Sequence, residues 1–362
     1  MERIVGEDCC SNVEIGGSRH WKTGVLETPA GSVDRITSRF SWRDRIGWWR
    51  TRCGIGRMSF AVPPGLHALG EPDADSDVFV TANYKMSFDH LRRSLAGRNA
   101  WILVLNTQGI NVWCAAGKGT FSTDELVARI ADSGLAKVVS HSRIILPQLG
   151  AVGVDAGEVA AQSGFTIRYG PVRADDIPAY LNSGYKVTGD MRRVRFRSAD
   201  RAALIPVEVV NTGKFILPAM AVVFVLSGVS RSGFSTSGMR LQGSAALIAL
   251  AAAWLAGSVL GPLLLPLLPG RMLSLKGALA AVLVLALPAL WVLPQLTGRL
   301  DLAAYWLAVP AIASFIMMNF TGATPYTSPS GVRLEMKRSV PLQAICGVLA
   351  ILLWLGQRIA NG

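Results

Sequence analysis

The chain is poor in the residues that build metal clusters, with five cysteines and four histidines in 362 residues. Cys9, Cys10, Cys53, Cys114 and Cys346 show no C-x-x-C spacing, which leaves no recognisable zinc site or iron–sulfur cluster. Their odd count fits a reducing compartment. The opening residues, MERIVGEDCCSNVEIGGSRH, lack an apolar core and a small-residue cleavage site, so no signal peptide is expected. Acidic residues are also scarce, 24 against 36 Lys and Arg, for a net charge of +12. No nucleic-acid recognition motif accompanies that excess, so no nucleic-acid partner is expected. The densest basic run, Arg192, Arg193, Arg195, Arg197, Arg201 and Lys214, precedes the first apolar span, where the positive-inside rule places a cytoplasmic flank.

The two halves differ. Up to about Asn211, charged, polar and apolar residues mix as in a soluble domain; from Phe215 onward Leu, Ala, Val and Pro dominate. Five segments, 215–230, 244–260, 275–293, 302–320 and 340–355, approach the roughly 20 residues that cross a bilayer. Their interiors hold almost no ionisable side chains, which argues against an ion pump or proton relay and for an anchor in membrane lipid. With the soluble part in the cytoplasm, Arg271, Lys276, Arg333, Lys337 and Arg338 fall inside, and Arg231, Arg240, Arg299 and Arg358 outside. The expected protein is a multi-pass protein of the cytoplasmic membrane. The hydroxyl-rich stretch 321–331 reads either as a docking surface or as a capped turn.

Residues 1–41 are rich in Gly, Ser and charge and read as a poorly ordered leader. Cys9 and Cys10 are either a soft-metal trap or incidental neighbours. The segment from Trp42 to Trp49, with Arg43, Arg45, Arg50 and Arg52 around it, either lies on a membrane surface or packs as the first helix of the domain. From Asp77 the pattern alternates. Strands are predicted over 78–81, 101–105, 137–140, 143–146 and 165–169. Helices are predicted over 88–95, from the Ser122/Glu125 capping box to Gly134, over 156–162 and over 175–181. This predicts an α/β domain over 42–210, a Rossmann-like parallel or mixed sheet with flanking helices and its ligand site at the strand ends. An all-α transmembrane domain of five helices follows over 211–362.

Chemistry concentrates in Asn111-Val112-Trp113-Cys114-Ala115-Ala116-Gly117-Lys118-Gly119. By itself this is a Gly-rich loop with a thiol. Its small residues let the backbone approach something large and flat, and Lys118 offers a cation to corrin amides, a phosphate or a partner's carboxylate. It is not a P-loop, since Gly119 rather than Ser or Thr follows the Gly-Lys pair. A thiol–imidazole pair of Cys114 and His141 is open, though no spacing ties them.

The string 111–118 resembles the signature of the mercury-methylating corrinoid proteins, whose soluble domain is related to the corrinoid-binding domain of the corrinoid iron–sulfur protein large subunit. The stretches 80–85, 100–105, 147–150, 169–172 and 321–331 look like that family too. The resemblance runs from about Arg45 to the last span. It implies a cobalamin-type corrinoid held by Thr81, Asn83, Asn111, Val112, Trp113, Ala115, Ala116, Gly117, Lys118, Pro147, Gln148, Gly150, Tyr169, Gly170 and Pro171. It further implies that Cys114 is the catalytic residue, its thiolate the lower axial ligand of cobalt. The D-x-H-x-x-G pattern of histidine-ligated cobalamin proteins is absent around His20, His67, His90 and His141.

The implied activity is a corrinoid-dependent methyltransferase that moves a methyl group from methyl-Co(III) to Hg(II). Hg(II) is an electrophile and takes methyl as a carbanion equivalent or a radical, and an anionic sulfur opposite the departing group would stabilise the Co(III) left behind. The implied partners are a methyl-folate-linked donor and a ferredoxin-like protein with two [4Fe–4S] clusters. Two other readings stand beside it: a methyl carrier of one-carbon metabolism with another acceptor, and a non-catalytic corrinoid-binding membrane protein.

Overall fold

The structure, a computed structural model, describes residues 19–324 and 327–360. It divides into two units, one running to Thr51 and resuming over Ile55–Val194, the other made of Arg52–Gly54 and the chain from Arg195 onward. In the first unit the strands are Lys22–Thr28 (β1), Gly31–Ile36 (β2), Gly65–Leu69 (β3), Val78–Ala82 (β4), Ala100–Leu105 (β5), Arg143–Leu146 (β6) and Thr166–Tyr169 (β7). The helices are Trp42–Arg52 (α1), Lys85–Ser94 (α2), Val112–Lys118 (α3), Thr123–Asp132 (α4), Leu135–Val138 (α5), Ala156–Ser163 (α6) and Ile177–Asn182 (α7).

All seven strands form one mixed sheet in the order β1-β2-β3-β5-β4-β6-β7. β4 pairs in parallel with β5 and β6, and β6 with β7, while β3 runs antiparallel to β5. β4 and β5 are buried at every position, as strands covered on both faces must be. Val78, Val80, Trp101 and Leu103 point into the core under α4 and α5. Phe79, Ile102 and Val104 point to the other face, against Phe88 and Leu91 of α2. The crossover from β4 to β5 therefore covers one face and that from β5 to β6 the other. The chain changes direction between β4 and β6, and a doubly wound sheet opens a crevice at the strand C-termini there.

Two expectations are corrected, and one strand, β3, was not expected. Residues 22–36, read as part of a poorly ordered leader, form the β1–β2 hairpin. β1 alternates between half-buried and exposed positions, Gly31 turns with a positive φ, and Val33 and Ile36 are buried. Cys9 and Cys10 lie outside the described residues. The strand predicted at 137–140 is instead the short helix α5, started by left-handed Gly134, which puts Leu135 and Val138 one turn apart in the core. β3 gave no strand signal because its five residues carry His67, which is buried with its Nε2 on the Pro63 carbonyl.

What orders the N-terminal segment is a buried charge network. Asp44 accepts from Lys85 Nζ at 3.0 Å and from the Ser41 backbone N–H at 2.9 Å, and pairs with Arg92 at 3.0 Å and His20 at 2.7 Å. Asp89 holds Lys85 at 2.6 Å, Arg92 Nε at 2.7 Å and the Trp48 indole N–H at 2.9 Å. Arg92, fully buried, donates to the carbonyls of Thr37 and Arg39. α1 and the segment before it are thus tied to α2 by ions.

The second unit has five helices long and apolar enough to cross a membrane: Ser198–Leu226, Thr236–Leu263, Leu273–Trp291, Arg299–Thr321 and Ser330–Ala360. Small residues let them approach closely; a Cβ on Gly277 would come within 2.6 Å of the Ala313 carbonyl. Buried charges sit beyond the predicted span interiors: Arg358 is buried and paired with Asp301, and buried Glu208 accepts from Asn319 at 2.9 Å. The hydroxyl-rich stretch 321–331 lies only partly within the described residues.

Burial by itself would raise the Asp44 carboxyl, but Lys85, the Ser41 N–H and Arg92 hold it well below the ordinary carboxylate range. A carboxyl depressed on folding stabilises the native state above its unfolded value of about 4, and that stabilisation is lost as the pH falls further. Asp44→Asn should flatten the acid limb of the stability curve. Asp89→Ala should cost about 3–5 kcal/mol, because buried Lys85 and Arg92 would then share the single carboxylate of Asp44. Both are read as hydrogen-exchange protection along α2 in the full chain; unchanged protection would contradict the network's role.

Candidate functional site

A cleft of about 420 Å³ opens where the chain changes direction, between the C-terminal ends of β4, β6 and β7. Thr81, Leu146, Pro147, Gly170 and Pro171 form its floor, Asn111, Val112 and Trp113 one wall, and Ser87, His90 and Arg173 the other. Its size is in the range of small-ligand sites.

The string 111–119 is a helix rather than a loop. Asn111 caps it, its Oδ1 accepting the Cys114 backbone N–H at 3.0 Å, and left-handed Gly119 closes it. Val112, Ala115 and Ala116 face the core, which leaves Trp113, Cys114, Gly117 and Lys118 exposed. The Asn111 amide donates to Cys114 Sγ at 3.5 Å, so one side chain both starts the helix and steadies the thiol. A Cβ on Gly117 would touch nothing, so no packing reason calls for glycine there; its effect is to bare the helix flank one turn beyond the thiol.

The other sequence-predicted residues divide by role. Thr81, Pro147, Gly170 and Pro171 reach the cleft with the α3 wall. Asn83 does not: it is buried, and its Oδ1 accepts from the Thr107 N–H, the Thr107 hydroxyl and the Gly109 N–H at 3.2, 2.8 and 2.9 Å. It positions the loop that leads into α3. Gly150 is a packing residue, since a Cβ would come within 2.5 Å of the Phe121 ring. Tyr169 donates to the Val154 carbonyl at 3.0 Å, and burial, with Asp155 nearby, raises its hydroxyl above the ordinary tyrosine value. Gln148 accepts from Arg192 at 3.1 Å on the turn after β6. Cys114 and His141 are not brought together: His141 lies before β6, at the opposite strand ends, with its Nε2 on the Ser76 carbonyl. Sequence reasoning missed Ser87, His90 and Arg173. Their only signal was position, one turn into α2 and just past β7.

Among the described residues no three His, Cys, Asp or Glu side chains gather to hold a metal ion. The site offers one thiol, an aromatic ring and a bare helix flank beside an apolar cleft. Such a set suits a macrocycle that brings its own equatorial donors and needs a single axial one. The cleft, at about 420 Å³, would admit only part of a corrinoid.

Residues 55–181 match the family described as CO dehydrogenase/acetyl-CoA synthase delta subunit. That stretch runs from before β3 into α7 and contains the whole cleft. The chain is also similar to the gamma subunit of the acetyl-CoA decarbonylase/synthase complex of Archaeoglobus fulgidus, 28% identical over 131 residues, 36% of this chain and 27% of the relative. The Methanocaldococcus jannaschii gamma subunit is 30% identical over 131 residues, 36% and 26% of the two chains. Gamma subunit 2 of Methanosarcina thermophila is 29% identical over 133 residues, 36% and 28%. The chain spans about a quarter of the length of these curated relatives.

Two glycines should respond in opposite senses. Gly150→Ala should destabilise the unit by about 1–3 kcal/mol through overpacking. Gly117→Ala should stabilise it by about 0.5–1 kcal/mol, since the site is helical and open. Thermal unfolding of the full chain checks both; a destabilising Gly117→Ala would mean that the α3 flank is packed rather than free.

Proposed function

We propose that the cleft and α3 hold a cobalamin-type corrinoid on which the protein carries methyl groups. The Cys114 thiolate would hold the cobalt, and the acceptor would be Hg(II), released as methylmercury. The observation that carries this reading is the exposed thiol of α3, next in the chain to Asn111, Val112 and Trp113 that line the direction-change cleft, inside the stretch that matches the family described as CO dehydrogenase/acetyl-CoA synthase delta subunit. The mercury acceptor rests on the resemblance of residues 111–118 to the mercury-methylating family.

Bound there, the corrinoid supplies a cobalt-carried methyl group for transfer. The chain's own residues hold and orient it. Asn111 keeps Cys114 Sγ outward and fixes the helix that bears it. Gly117 leaves the helix flank open, exposed Trp113 would give a bound ring an apolar neighbour, and exposed Lys118 would offer a cation to its polar substituents. Thr81, Pro147, Gly170 and Pro171 receive an edge or substituent. A separate ferredoxin-like partner with two [4Fe–4S] clusters would supply the electrons that a corrinoid needs after losing its methyl group, and a methyl-folate-linked donor the next methyl group. The spans keep the reaction at the cytoplasmic membrane.

A second reading has its own support. The curated relatives are subunits of an acetyl-CoA decarbonylase/synthase complex, which favours a methyl carrier in one-carbon metabolism with an acceptor other than mercury. Full chain supplied with corrinoid, methyl donor, reductant and Hg(II) separates the two. Methylmercury formation that is lost in Cys114→Ala and reduced on the order of 10–100-fold in Asn111→Ala is the expected result. Gly117→Ala should bind corrinoid more weakly without being less stable. Corrinoid binding with no methylmercury would favour the second reading, and no corrinoid binding would overturn both.

A further inference from the structure

α1 is amphipathic in the inverted sense. At roughly 100° per residue, Trp42, Ile46 and Trp49 share one face, and the structure leaves it open, with Trp42 65%, Ile46 49% and Trp49 62% exposed. The two buried residues of the helix, Asp44 and Thr51, are polar, and half-buried Trp48 turns its indole N–H to Asp89. Gly47, also on that side, has the Phe60 ring 2.9 Å from where a Cβ would be. Arg43 and Arg50 flank the aromatic stripe on one side and Arg45 and Arg52 on the other. The Arg43 guanidinium lies 5.5 Å from the Trp42 ring centroid. The sole acid of the helix, Asp44, is committed to Lys85 and Arg92. Just past the helix, Ile55 and Met58 extend the apolar surface.

Exposed tryptophans are costly in water and favoured at the headgroup level of a bilayer, where an indole keeps both an apolar contact and a polar one. Arginines on both flanks complement lipid phosphates and add attraction to anionic lipid. The chain also brings its own bilayer, through five helices able to cross one.

We infer that α1 is an interfacial helix that lies on the anionic headgroup layer of the membrane, with Trp42, Ile46 and Trp49 inserted and the flanking arginines on lipid phosphates. The charge network that orders the N-terminal segment also fixes which face of α1 turns outward. This inference is independent of the corrinoid reading.

The test places the photoreactive side chain p-benzoylphenylalanine at Ile46 in the full chain, reconstituted in nanodiscs of phosphatidylglycerol and phosphatidylcholine. The same probe at exposed Leu287, in the third span, is the positive control, and at exposed Val25 of β1 the negative one. The expected result is phospholipid adducts from positions 46 and 287 and none from 25. Adducts at 46 should fall by about five-fold for each of Arg45→Gln and Arg50→Gln, and in phosphatidylcholine alone. If position 46 cross-links to protein, whether this chain or another, or gives no lipid adduct while position 287 does, the inference is overturned. Hydrogen-exchange protection of α2 in each variant reports that the fold is intact.

Discussion

The buried Asn83 carboxamide oxygen takes three hydrogen bonds from Thr107 and Gly109, and this fixes the path of the chain from β5 into α3. The placement of the thiol depends on that path. With the loop held, Asn111 arrives where it can cap α3, and the apolar positions Val112, Ala115 and Ala116 dock the helix on the sheet. Once those three face inward, helical spacing leaves Cys114 no choice but to face out, and Gly117 and Lys118 with it. The thiol is thus presented by packing on the far side of the helix. Removing the Asn83 acceptor would leave donors unsatisfied in the interior, a cost of about 1–3 kcal/mol for each buried group.

The network of Asp44, Lys85, Asp89 and Arg92 does similar work at the other flank. It is a costly device in desolvation, and a well-packed apolar cluster of equal volume often stabilises as well. What ions add here is orientation: α1 presents a polar face to the interior only because Lys85 and Arg92 wait for Asp44 there. The α/β unit therefore sets this charge cluster against the segment that carries the exposed aromatic stripe.

The sequence made legible what periodicity and composition encode. β4 and β5 were visible as unbroken apolar runs, α4 by its capping box, and the five apolar helices by length. The thiol-bearing string was visible as a motif, yet its helical state was not, because two glycines in nine residues look like a loop until Asn111 is seen as a cap and Gly119 as a terminator. Asn83 and Gly150 were singled out as cofactor contacts and serve instead as supports, since a short motif does not say which way a side chain points. Ser87, His90 and Arg173 come from elements far apart in the chain, and only the order of the strands brings them to one crevice. The buried pair of Asp301 and Arg358 was hidden for the same reason, its members lying at the ends of different helices.

The family match covers the cleft-bearing region, residues 55–181, and not the five long apolar helices, so the central claim concerns what one thiol does beside that cleft. Cobalt K-edge X-ray absorption of the full chain loaded with cobalamin tests it most directly. The account predicts a sulfur scatterer in the first shell of cobalt in the native protein and its loss in Cys114→Ala. A first shell of nitrogen and oxygen alone in the native protein would contradict it.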